Sequence, residues 1–329
     1  MTAEVEVAFD ALHRSVMLKE TTHFLAPERG GLFIDATLGL GGHAEGILLA
    51  APTTRVIGID RDLEAIEHAT RRLARFGERF KAVQACSHEI ADVLVSEGER
   101  KADGVLADLG VSSWQFDTPH RGFSFRFDAP LDMRMDASGD DATAAELLAE
   151  LPEVEIARII YEYGEEPASR RIARRIVERR ERGEPVTTTG ELASLVAGVM
   201  YRRTGKSKRA RGRTSSEIHP ATRTFQALRI AVNGELDNLA KFVESSIKIL
   251  QPQGRFVCIS FHSLEDRIVK RTLRRLAGTC ECDPRLPVCD CGAVEAVQIL
   301  TRRPATPDAG EAKDNPRARS AKLRAGVRL

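Results

Sequence analysis

The residues best suited to chemistry in this chain directly follow short apolar runs near its start. Three motifs end such apolar runs, and we refer to them in order as the first, second and third run: Asp35–His43 (DATLGLGGH), Val56–Asp60 (VIGID) and Ala107–Gln115 (ADLGVSSWQ). In an open parallel sheet, strand ends of this kind lie side by side along the carboxyl edge, where these folds bind their ligands. One turn alone would mean little, but the series predicts a site for a nucleoside-bearing cofactor.

The first run contains a glycine turn that follows a predicted strand and opens a helix. Gly39, Gly41 and Gly42 permit positive φ and let the backbone approach a ligand closely. The spacing also fits the dinucleotide fingerprint, so this turn alone does not separate NAD from S-adenosylmethionine. Asp60 comes 19 residues after Gly41 and is suited to accept hydrogen bonds from ribose hydroxyls. A structural turn beside a strand-ending aspartate is the simpler alternative.

Two features favour S-adenosylmethionine over NAD. Asp35 ends the first predicted strand just before the glycines, where a carboxylate suits a cationic methionine moiety better than a pyrophosphate. The third run has no obvious role in hydride transfer. His43 stands at the start of the following helix, where it could contact the cofactor or cap the turn.

The third run predicts the reacting loop. Amino methyltransferases place a short polar loop at this strand end, which accepts hydrogen bonds from an exocyclic amine and aims its nitrogen at the methyl group. Asp108 is the candidate catalytic residue, holding the amine and stabilising its developing charge, although a cofactor-binding role is equally open. Alternatively, Ser112 or Ser113 is simply a helix N-cap.

Taken together, the longer runs resemble the MraW/RsmH-type 16S ribosomal RNA cytosine-N4 methyltransferases. The matching runs are His13–Glu20, Asp35–His43, Ala107–Gln115, Arg121–Asp128, Leu131–Asp136, Thr224–Asn233, Ser260–Asp266 and Asn315–Arg324. This resemblance covers nearly the whole chain. It implies S-adenosylmethionine-dependent N4-methylation of a specific cytidine in the decoding region of 16S rRNA, with that RNA or the small ribosomal subunit as partner.

The resemblance also implies a set of cofactor contacts. They are Gly41, Gly42, His43, Asp60, Asp108 and Gln115, with one more residue where the third strand ends. The family usually has an aromatic residue at that last position, whereas this chain has Cys86. A small apolar thiol could still pack against an adenine ring.

Aromatic residues near the reacting loop could receive an extruded base, since a base inside structured RNA must be unstacked before it reacts. Phe123, Phe125 and Phe127 alternate, and Trp114 lies within the loop region, but the same alternation describes a strand with one buried face. Three further residues are candidates at the site, the first two closing over the cofactor: Asp132, Asp136 and His262. A hydrogen-bonded structural role is the alternative for the histidine.

Positive charge is clustered although the net charge is only +1. Arg202–Arg213 holds seven Lys/Arg and no acid, and Arg302–Arg328 holds eight against three acids, as expected of a polyanion binder. The predicted helix Ser169–Arg182 could present four arginines to RNA: Arg171, Arg174, Arg175 and Arg179. Pairing with Glu178 and Glu181 would instead make an ordinary charged surface, and the 202–213 stretch could be a solvated linker.

A cysteine cluster has the spacing C-x-C-x6-C-x-C and comprises Cys280, Cys282, Cys289 and Cys291. Four thiolates within twelve residues could bind a structural zinc ion. The usual zinc spacing is C-x2-C, however, so reduced surface thiols or a redox-labile loop are the alternatives. We expect no catalytic metal, because methyl transfer needs none.

The elements that position these residues alternate between strand and helix. Predicted strands cover Gly31–Ala36, Arg55–Asp60, Phe80–Ala85 and Gly104–Leu109, with helices between them. Residues 142–200 and Ile218–Leu250 are then predicted to be helical, before strand patterns return at Arg255–Phe261 and Val294–Leu300. The fold class is therefore α/β, with a helical domain inserted into a sheet domain. The family resemblance implies that the sheet is a Rossmann-like, S-adenosylmethionine-dependent methyltransferase sheet.

We predict domain boundaries accordingly. Residues 1–118 and 219–304 form the methyltransferase domain, 119–218 the inserted helical domain, and 305–329 a basic C-terminal tail. The 329 residues are 42% hydrophobic and 29% charged, which is ordinary for a soluble protein. The start lacks the basic and apolar regions of a signal peptide and no apolar stretch approaches membrane-spanning length, so we expect a cytoplasmic protein without a membrane partner.

Rival functions use the same motifs. An NAD-dependent oxidoreductase shares the glycine turn. A methyltransferase-like fold that chaperones RNA without chemistry would share the fold and the basic clusters. The motifs alone also allow DNA as the substrate; the ribosomal assignment depends on the family resemblance.

Overall fold

The computed structural model describes residues 15–204, 219–280, 282 and 295–329; for Ser113 and for 202–204 it describes the backbone alone. By its internal contacts the chain divides into two units. The sheet unit comprises Met1–Gly110 and Leu236–Leu329, and the helical unit comprises Val111–Glu235. Among the described residues, no helix is both long and apolar enough to cross a membrane.

Within the described residues, the sheet unit has seven strands in the order β3-β2-β1-β4-β5-β7-β6. They are β1 (Gly31–Asp35), β2 (Thr54–Asp60), β3 (Phe80–Gln84), β4 (Ala102–Asp108), β5 (Leu250–Ser260), β6 (Val297–Ile299) and β7 (Lys322–Arg328). The first five are parallel, and β7 runs antiparallel to both β5 and β6. The carboxyl ends of β1, β2, β3 and β4 therefore meet along one edge.

Helices cover both faces of this sheet. They are α1 (Leu18–Leu25), α2 (Gly42–Ala50), α3 (Leu63–Leu73), α4 (Ile90–Ser96), α11 (Leu239–Ile249), α12 (Ser263–Leu276) and α13 (Ala309–Asp314). Successive strand residues point to opposite faces, so Phe33 joins the core with α1, α2 and α3, whereas Ile34 joins the core with α4, α11 and α12. This is a doubly wound α/β sheet, as the alternating pattern predicts.

In the described part of the helical unit, six helices pack around a core of their own. They are α5 (Ser113–Asp117), α6 (Ala144–Glu150), α7 (Glu153–Glu162), α8 (Ser169–Glu181), α9 (Thr189–Thr204) and α10 (Thr222–Asn233). Helical periodicity puts Ile156 and Ile160 of α7, Ile172 of α8 and Phe225 of α10 in this core. The region 218–250, predicted to hold one or two long helices, holds two, because Gly234 adopts φ 56 and ends α10.

The structural units differ from the predicted domain boundaries at three places. The helical unit begins at Val111 rather than at residue 119. Helix α10 packs against α7 and so belongs to the helical unit rather than to the sheet. The residues predicted to form a basic tail include β7, where Leu323, Ala325 and Val327 alternate into the core. The basic side chains between them serve the fold, since Arg324 makes two hydrogen bonds to the carboxylate of Asp266 at 2.7 and 3.2 Å.

The aromatic segment near 119–136 is irregular rather than a strand, apart from a short turn of 3-10 helix. Buried side chains hold its backbone in place. The Asn233 amide donates to the Met133 carbonyl at 2.8 Å and accepts from the Met135 backbone N–H at 2.7 Å. The Arg121 guanidinium donates to the Met135 carbonyl at 2.7 Å. These contacts satisfy backbone groups that would otherwise be buried unpaired.

Candidate active site

The predicted glycine turn lies between β1 and α2. Gly41 adopts φ 78 as the N-cap of α2, a conformation that side chains with a Cβ rarely adopt. A Cβ added at Gly42 would lie 2.2 Å from the Ser15 hydroxyl oxygen, and one at Gly41 would lie 3.0 Å from Leu73 Cδ1. The positive φ therefore favours glycine at Gly41, and a Cβ at Gly42 would require the Ser15 side chain to move.

Asp60, at the end of β2, reaches back to the glycine turn. Its Oδ2 accepts a hydrogen bond from the Gly39 N–H at 2.8 Å, and its Oδ1 accepts one from the Asp62 N–H at 3.0 Å. Burial raises the pKa of Asp60. These two contacts orient the carboxylate. Each of its oxygens keeps a second lone pair, which is able to accept a hydrogen bond from a ribose hydroxyl.

A cluster of three titratable side chains lies where β1, α2 and β4 meet at the sheet edge. Asp35 and His43 are 1% and 6% exposed, and His43 Nε2 lies 3.6 Å from Asp108 Oδ2. Asp35 Oδ2, Asp108 Oδ1 and both ring nitrogens of His43 are buried without a hydrogen-bond partner among the described residues. Buried polar atoms normally have a partner, so this cluster is suited to hold a polar or charged ligand.

The charges of this cluster influence one another. Burial raises the pKa of Asp35 from 3.8 to about 6, although His43 opposes the shift. Burial alone would lower the pKa of His43, but pairing with Asp108 and the nearby carboxylates of Asp35 and Glu311 outweigh it, so that pKa is raised. A cation bound beside Asp35 would favour the ionised carboxylate.

Two residues that sequence reasoning missed support the cluster. The Thr37 hydroxyl accepts a hydrogen bond from the Asp108 backbone N–H at 2.6 Å, which ties the end of β4 to the end of β1. Glu311 of α13 contributes to the pKa of His43 and accepts a hydrogen bond from the Met17 N–H at 2.6 Å. Thr37 lies within a motif already singled out, whereas Glu311 is too distant in sequence for any local pattern to indicate it.

Cys86 follows β3 and is half-buried. Its Sγ lies 3.8 Å from an Arg61 guanidinium nitrogen, and its backbone N–H donates to Glu89 at 2.7 Å. Asp60 pairs with Gln84 in the parallel ladder between β2 and β3, so the ends of these two strands are adjacent. Cys86 thus lies at the sheet edge, beside the strand that ends at the predicted ribose-binding aspartate.

Gln115, the remaining predicted cofactor contact, lies in the helical unit. The Ser112 hydroxyl accepts a hydrogen bond from the Gln115 N–H at 3.2 Å, so Ser112 is the N-cap of α5, as the simpler alternative held. The Gln115 amide donates to the Met135 carbonyl at 3.4 Å and its side chain is buried. A contact between Gln115 and the cofactor stays a prediction.

The other candidates have structural partners. His262 is the N-cap of α12 and its side chain lies 3.1 Å from Glu265, which supports the structural alternative. Asp132 pairs with the Arg134 guanidinium at 2.9 and 3.0 Å, and Asp136 accepts hydrogen bonds from Ser138.

The four aromatic candidates for base stacking differ in exposure. Phe123 is buried and Phe125 contacts Phe225, whereas Trp114 is half-buried and Phe127 is 50% exposed. Burial of Phe123 and the packing of Phe125 favour core roles for both residues. Base stacking stays a prediction.

The basic stretch and the cysteine cluster lie wholly or partly outside the residues that the structure describes. No side chain in the basic stretch Arg202–Arg213 is described, and neither are Cys289 and Cys291. Of the cysteine cluster, Cys280 and Cys282 are described, with the Cys282 N–H donating to Cys280 Sγ at 3.4 Å. The structural zinc site therefore stays a prediction.

Comparison with known proteins places the chain in a family. Residues 10–328 match the MraW methylase family. A protein named ribosomal RNA small subunit methyltransferase H from Geobacter sulfurreducens is 51% identical, over 96% of this chain and 99% of the relative. Its namesake from Trichlorobacter lovleyi is 49% identical, over 96% of this chain and 98% of the relative.

Solved structures give a more distant likeness. A putative rRNA methylase from Clostridium thermocellum matches with a TM-score of 0.41 and 10% identity, over 96% of this chain and all of that one. A putative methyltransferase from Streptococcus mutans in complex with SAH matches with a TM-score of 0.40 and 10% identity, with the same coverage. From the full-length family match and the close relatives, the chain belongs to the MraW methylase family and is an S-adenosylmethionine-dependent methyltransferase.

Proposed function

We propose that this methyltransferase methylates the N4 of a specific cytidine in the decoding region of 16S rRNA. The observation that carries the proposal is the buried cluster of Asp35, His43 and Asp108 beside the glycine turn, in which four polar side-chain atoms lack a hydrogen-bond partner among the described residues. The names of the close relatives support small-subunit ribosomal RNA as the substrate. The family resemblance supports the cytosine amine and the decoding region.

The residues of the sheet edge fit the methyl donor. Gly41 and Gly42 let the backbone approach it, and Asp60 accepts hydrogen bonds from its ribose. The carboxylate of Asp35 balances the positive charge of its methionine moiety. Cys86 packs beside the adenine. When bound, S-adenosylmethionine supplies an electrophilic methyl group on a sulfonium, which is already a good leaving group.

The protein's own contribution is mainly to position the acceptor. The cytosine amine is a weak nucleophile because its lone pair is delocalised into the ring, and correct placement can supply roughly 7–11 kcal/mol of the barrier. Asp108 accepts a hydrogen bond from this amine and stabilises the charge that develops on nitrogen. His43, 3.6 Å from Asp108, fixes the carboxylate's orientation. The displaced proton passes to Asp108 or to water.

The partner is then RNA whose target base can leave its stack. Such extrusion costs a few kcal/mol, so accessible or already unpaired nucleotides are favoured. A ribosomal RNA substrate also agrees with the expected cytoplasmic location.

Mass spectrometry of 16S rRNA from cells with and without this protein tests the proposal. We expect N4-methylcytidine at one decoding-region position to disappear when the gene is deleted and to return on complementation. An unchanged nucleoside profile would refute the proposed substrate. Methylation of a matched DNA oligonucleotide in preference to RNA would favour the DNA alternative, and loss of an RNA fold without loss of a methyl group would favour the chaperone alternative.

A further inference from the structure

A cleft in the helical unit lies between α8 and α9. Its volume is about 460 Å3, and four arginines of α8 contribute to one wall: Arg171, Arg174, Arg175 and Arg179. The α9 side includes the exposed residues Ser194 and Gly198. Glu191 is the acidic residue among those that line the cleft. A concave surface with this excess of guanidinium groups is suited to an anion.

The arginines are placed here by the amphipathic pattern of α8. Ile172, Ala173 and Ile176 turn into the core of the helical unit, which leaves the arginines on the opposite face. Arg171 and Arg175 are four residues apart, so they follow one another at about 6 Å along the helix. This interval resembles the distance between neighbouring phosphates of a nucleic-acid strand. The arrangement therefore fits a polyanion better than a single small anion.

The ion pairs of Arg174 and Arg175 are readily exchanged for phosphate. Arg175 pairs with Glu178 at 2.7 Å, and Arg174 lies 3.8 Å from Glu153, with the two arginine side chains 42% and 66% exposed. Exposed pairs of this kind contribute little, about 0–1 kcal/mol. Arg179 is less exposed and pairs with Glu191 at 3.0 Å. Arg171 has no acidic partner among the described residues. Guanidinium groups bind phosphate oxygens through paired, charge-assisted hydrogen bonds, which are stronger.

Not every arginine of α8 shares this role. Arg180 donates to the carbonyls of Leu148, Ala149 and Leu151, where it caps the end of α6. Arg170 is exposed but does not line the cleft. The helix therefore offers a structural arginine and an exposed non-cleft arginine beside those of the cleft, which provides a matched control on the same element.

Gly198 keeps the α9 side of the cleft open. A Cβ added there would meet nothing within 4 Å, although a glycine inside a helix costs roughly 0.5–1 kcal/mol relative to alanine. Neither packing nor a positive φ requires glycine at this position, so larger side chains can be introduced without a backbone clash. Such side chains would project from the α9 wall.

We propose that this cleft binds the phosphodiester backbone of the substrate RNA. The inference rests on the proposed function for the identity of the polyanion. It adds a docking site whose arginines hold the strand by charge and do not read its bases. Binding at the cleft then contributes affinity that depends on salt and hardly at all on sequence.

The test measures binding of the full chain to a short, labelled, single-stranded RNA by fluorescence anisotropy over a range of salt concentrations. The double variant Arg171→Gln/Arg175→Gln should bind roughly 5- to 10-fold more weakly at low salt, and its salt slope should fall by about 0.7 for each lost phosphate contact. Gly198→Glu should weaken binding similarly, because it adds a negative charge at the cleft. Arg170→Gln and Gly198→Ala should bind like the parent protein.

Two further measurements distinguish failure of the cleft assignment from loss of the fold and from failure of the proposed function. Stabilisation by S-adenosylhomocysteine in a thermal-shift assay should be the same in every variant, which shows that the fold and the cofactor site are intact. Unchanged RNA affinity and salt slope in the double variant would overturn the cleft assignment. If the cleft variants lose RNA affinity while rRNA from the deletion strain keeps its N4-methylcytidine, the proposed function fails and the polyanion site stands.

Discussion

At the scale of single residues, Asp35 connects the site to the stability of the fold. Its pKa is raised to about 6 by burial, so the native state binds this proton more tightly than the unfolded chain does. The stabilising contribution of the protonated group is therefore fully present below pH ~4 and is lost as pH rises through about 6. At neutral pH the buried carboxylate destabilises the cofactor-free protein.

Replacing Asp35 with asparagine should remove this penalty. We expect Asp35→Asn to stabilise the cofactor-free protein, and the gain should increase by roughly 2 kcal/mol between about pH 4 and pH 7. The same variant should bind S-adenosylmethionine more weakly, because the cation loses its carboxylate. Urea unfolding across this pH range and calorimetric titration measure the two effects. A stability gain that does not vary with pH would contradict the raised pKa assigned to the buried Asp35 carboxylate.

Asp108 is the residue on which the chemistry depends. Asp108→Asn keeps the shape of the side chain but removes its charge, and we expect methyl transfer to fall by roughly 10²- to 10³-fold. RNA affinity should change little, because the loop residue is not part of the arginine cleft. Asp92→Asn, at an exposed position of α4, is the control. Methyl incorporation at the parental rate in Asp108→Asn would remove this residue from the mechanism.

Sequence reasoning at this scale succeeds where chemistry and topology coincide. Asp35, Asp60 and Asp108 were predictable because each ends an apolar run that must be a strand, and parallel strand ends converge. Glu311 was not predictable, because its approach to His43 depends on how α13 packs, far along the chain. The structural roles of Asn233 and Arg121 were equally hidden, since both side chains act on backbone groups of an irregular segment.

At the scale of elements, variants of His262 distinguish a helix-capping role from a role in the active site. His262 caps α12 and forms a capping box with Glu265, so His262→Ala should lower the free energy of unfolding by about 1 kcal/mol. His262→Asn should restore most of the loss, because asparagine is also a good N-cap. Chemical denaturation measures both variants. A fall in methylation with unchanged stability would instead place His262 in the active site.

The elements themselves were largely predictable, and the exceptions have local causes. The alternation of strands and helices up to Asp108 is correct to within a few residues. The apolar pattern left open whether one or two helices follow Ile218, and Gly234, in a left-handed conformation, separates two. The pattern of β7 was hidden because arginine and lysine alternate with its buried residues, and this charge density was interpreted as a binding tail.

At the scale of the whole molecule, β7 should be indispensable. Removal of residues 322–329 would take away the antiparallel partner of β5 and expose core on both faces. We expect this truncation to give insoluble or unfolded protein, whereas removal of the half-exposed Leu329 alone should be tolerated. Soluble yield and thermal unfolding measure the difference. A soluble truncated chain that still binds S-adenosylhomocysteine would show that β7 is dispensable.

The overall organisation was predictable in kind but not at its boundaries. Strand patterns on either side of a helical block indicate an insertion, because one sheet must be completed from both ends. The boundary predicted near residue 219 differs from the end of the helical unit at Glu235, and α10, between the two, is amphipathic in a way that suits either unit. The partners of its apolar face, in α7, are a tertiary choice that periodicity cannot reveal.

The divided origin of the sheet has a consequence for how the protein is made. All four strands that carry the candidate site residues are synthesised by Asp108, yet the fifth begins only at Leu250. A growing chain therefore carries an open, apolar strand edge on β4 while the whole helical unit is being translated. Exposed strand edges promote aggregation of nascent chains. Folding of this enzyme should therefore depend on chaperones until its last few residues have left the ribosome.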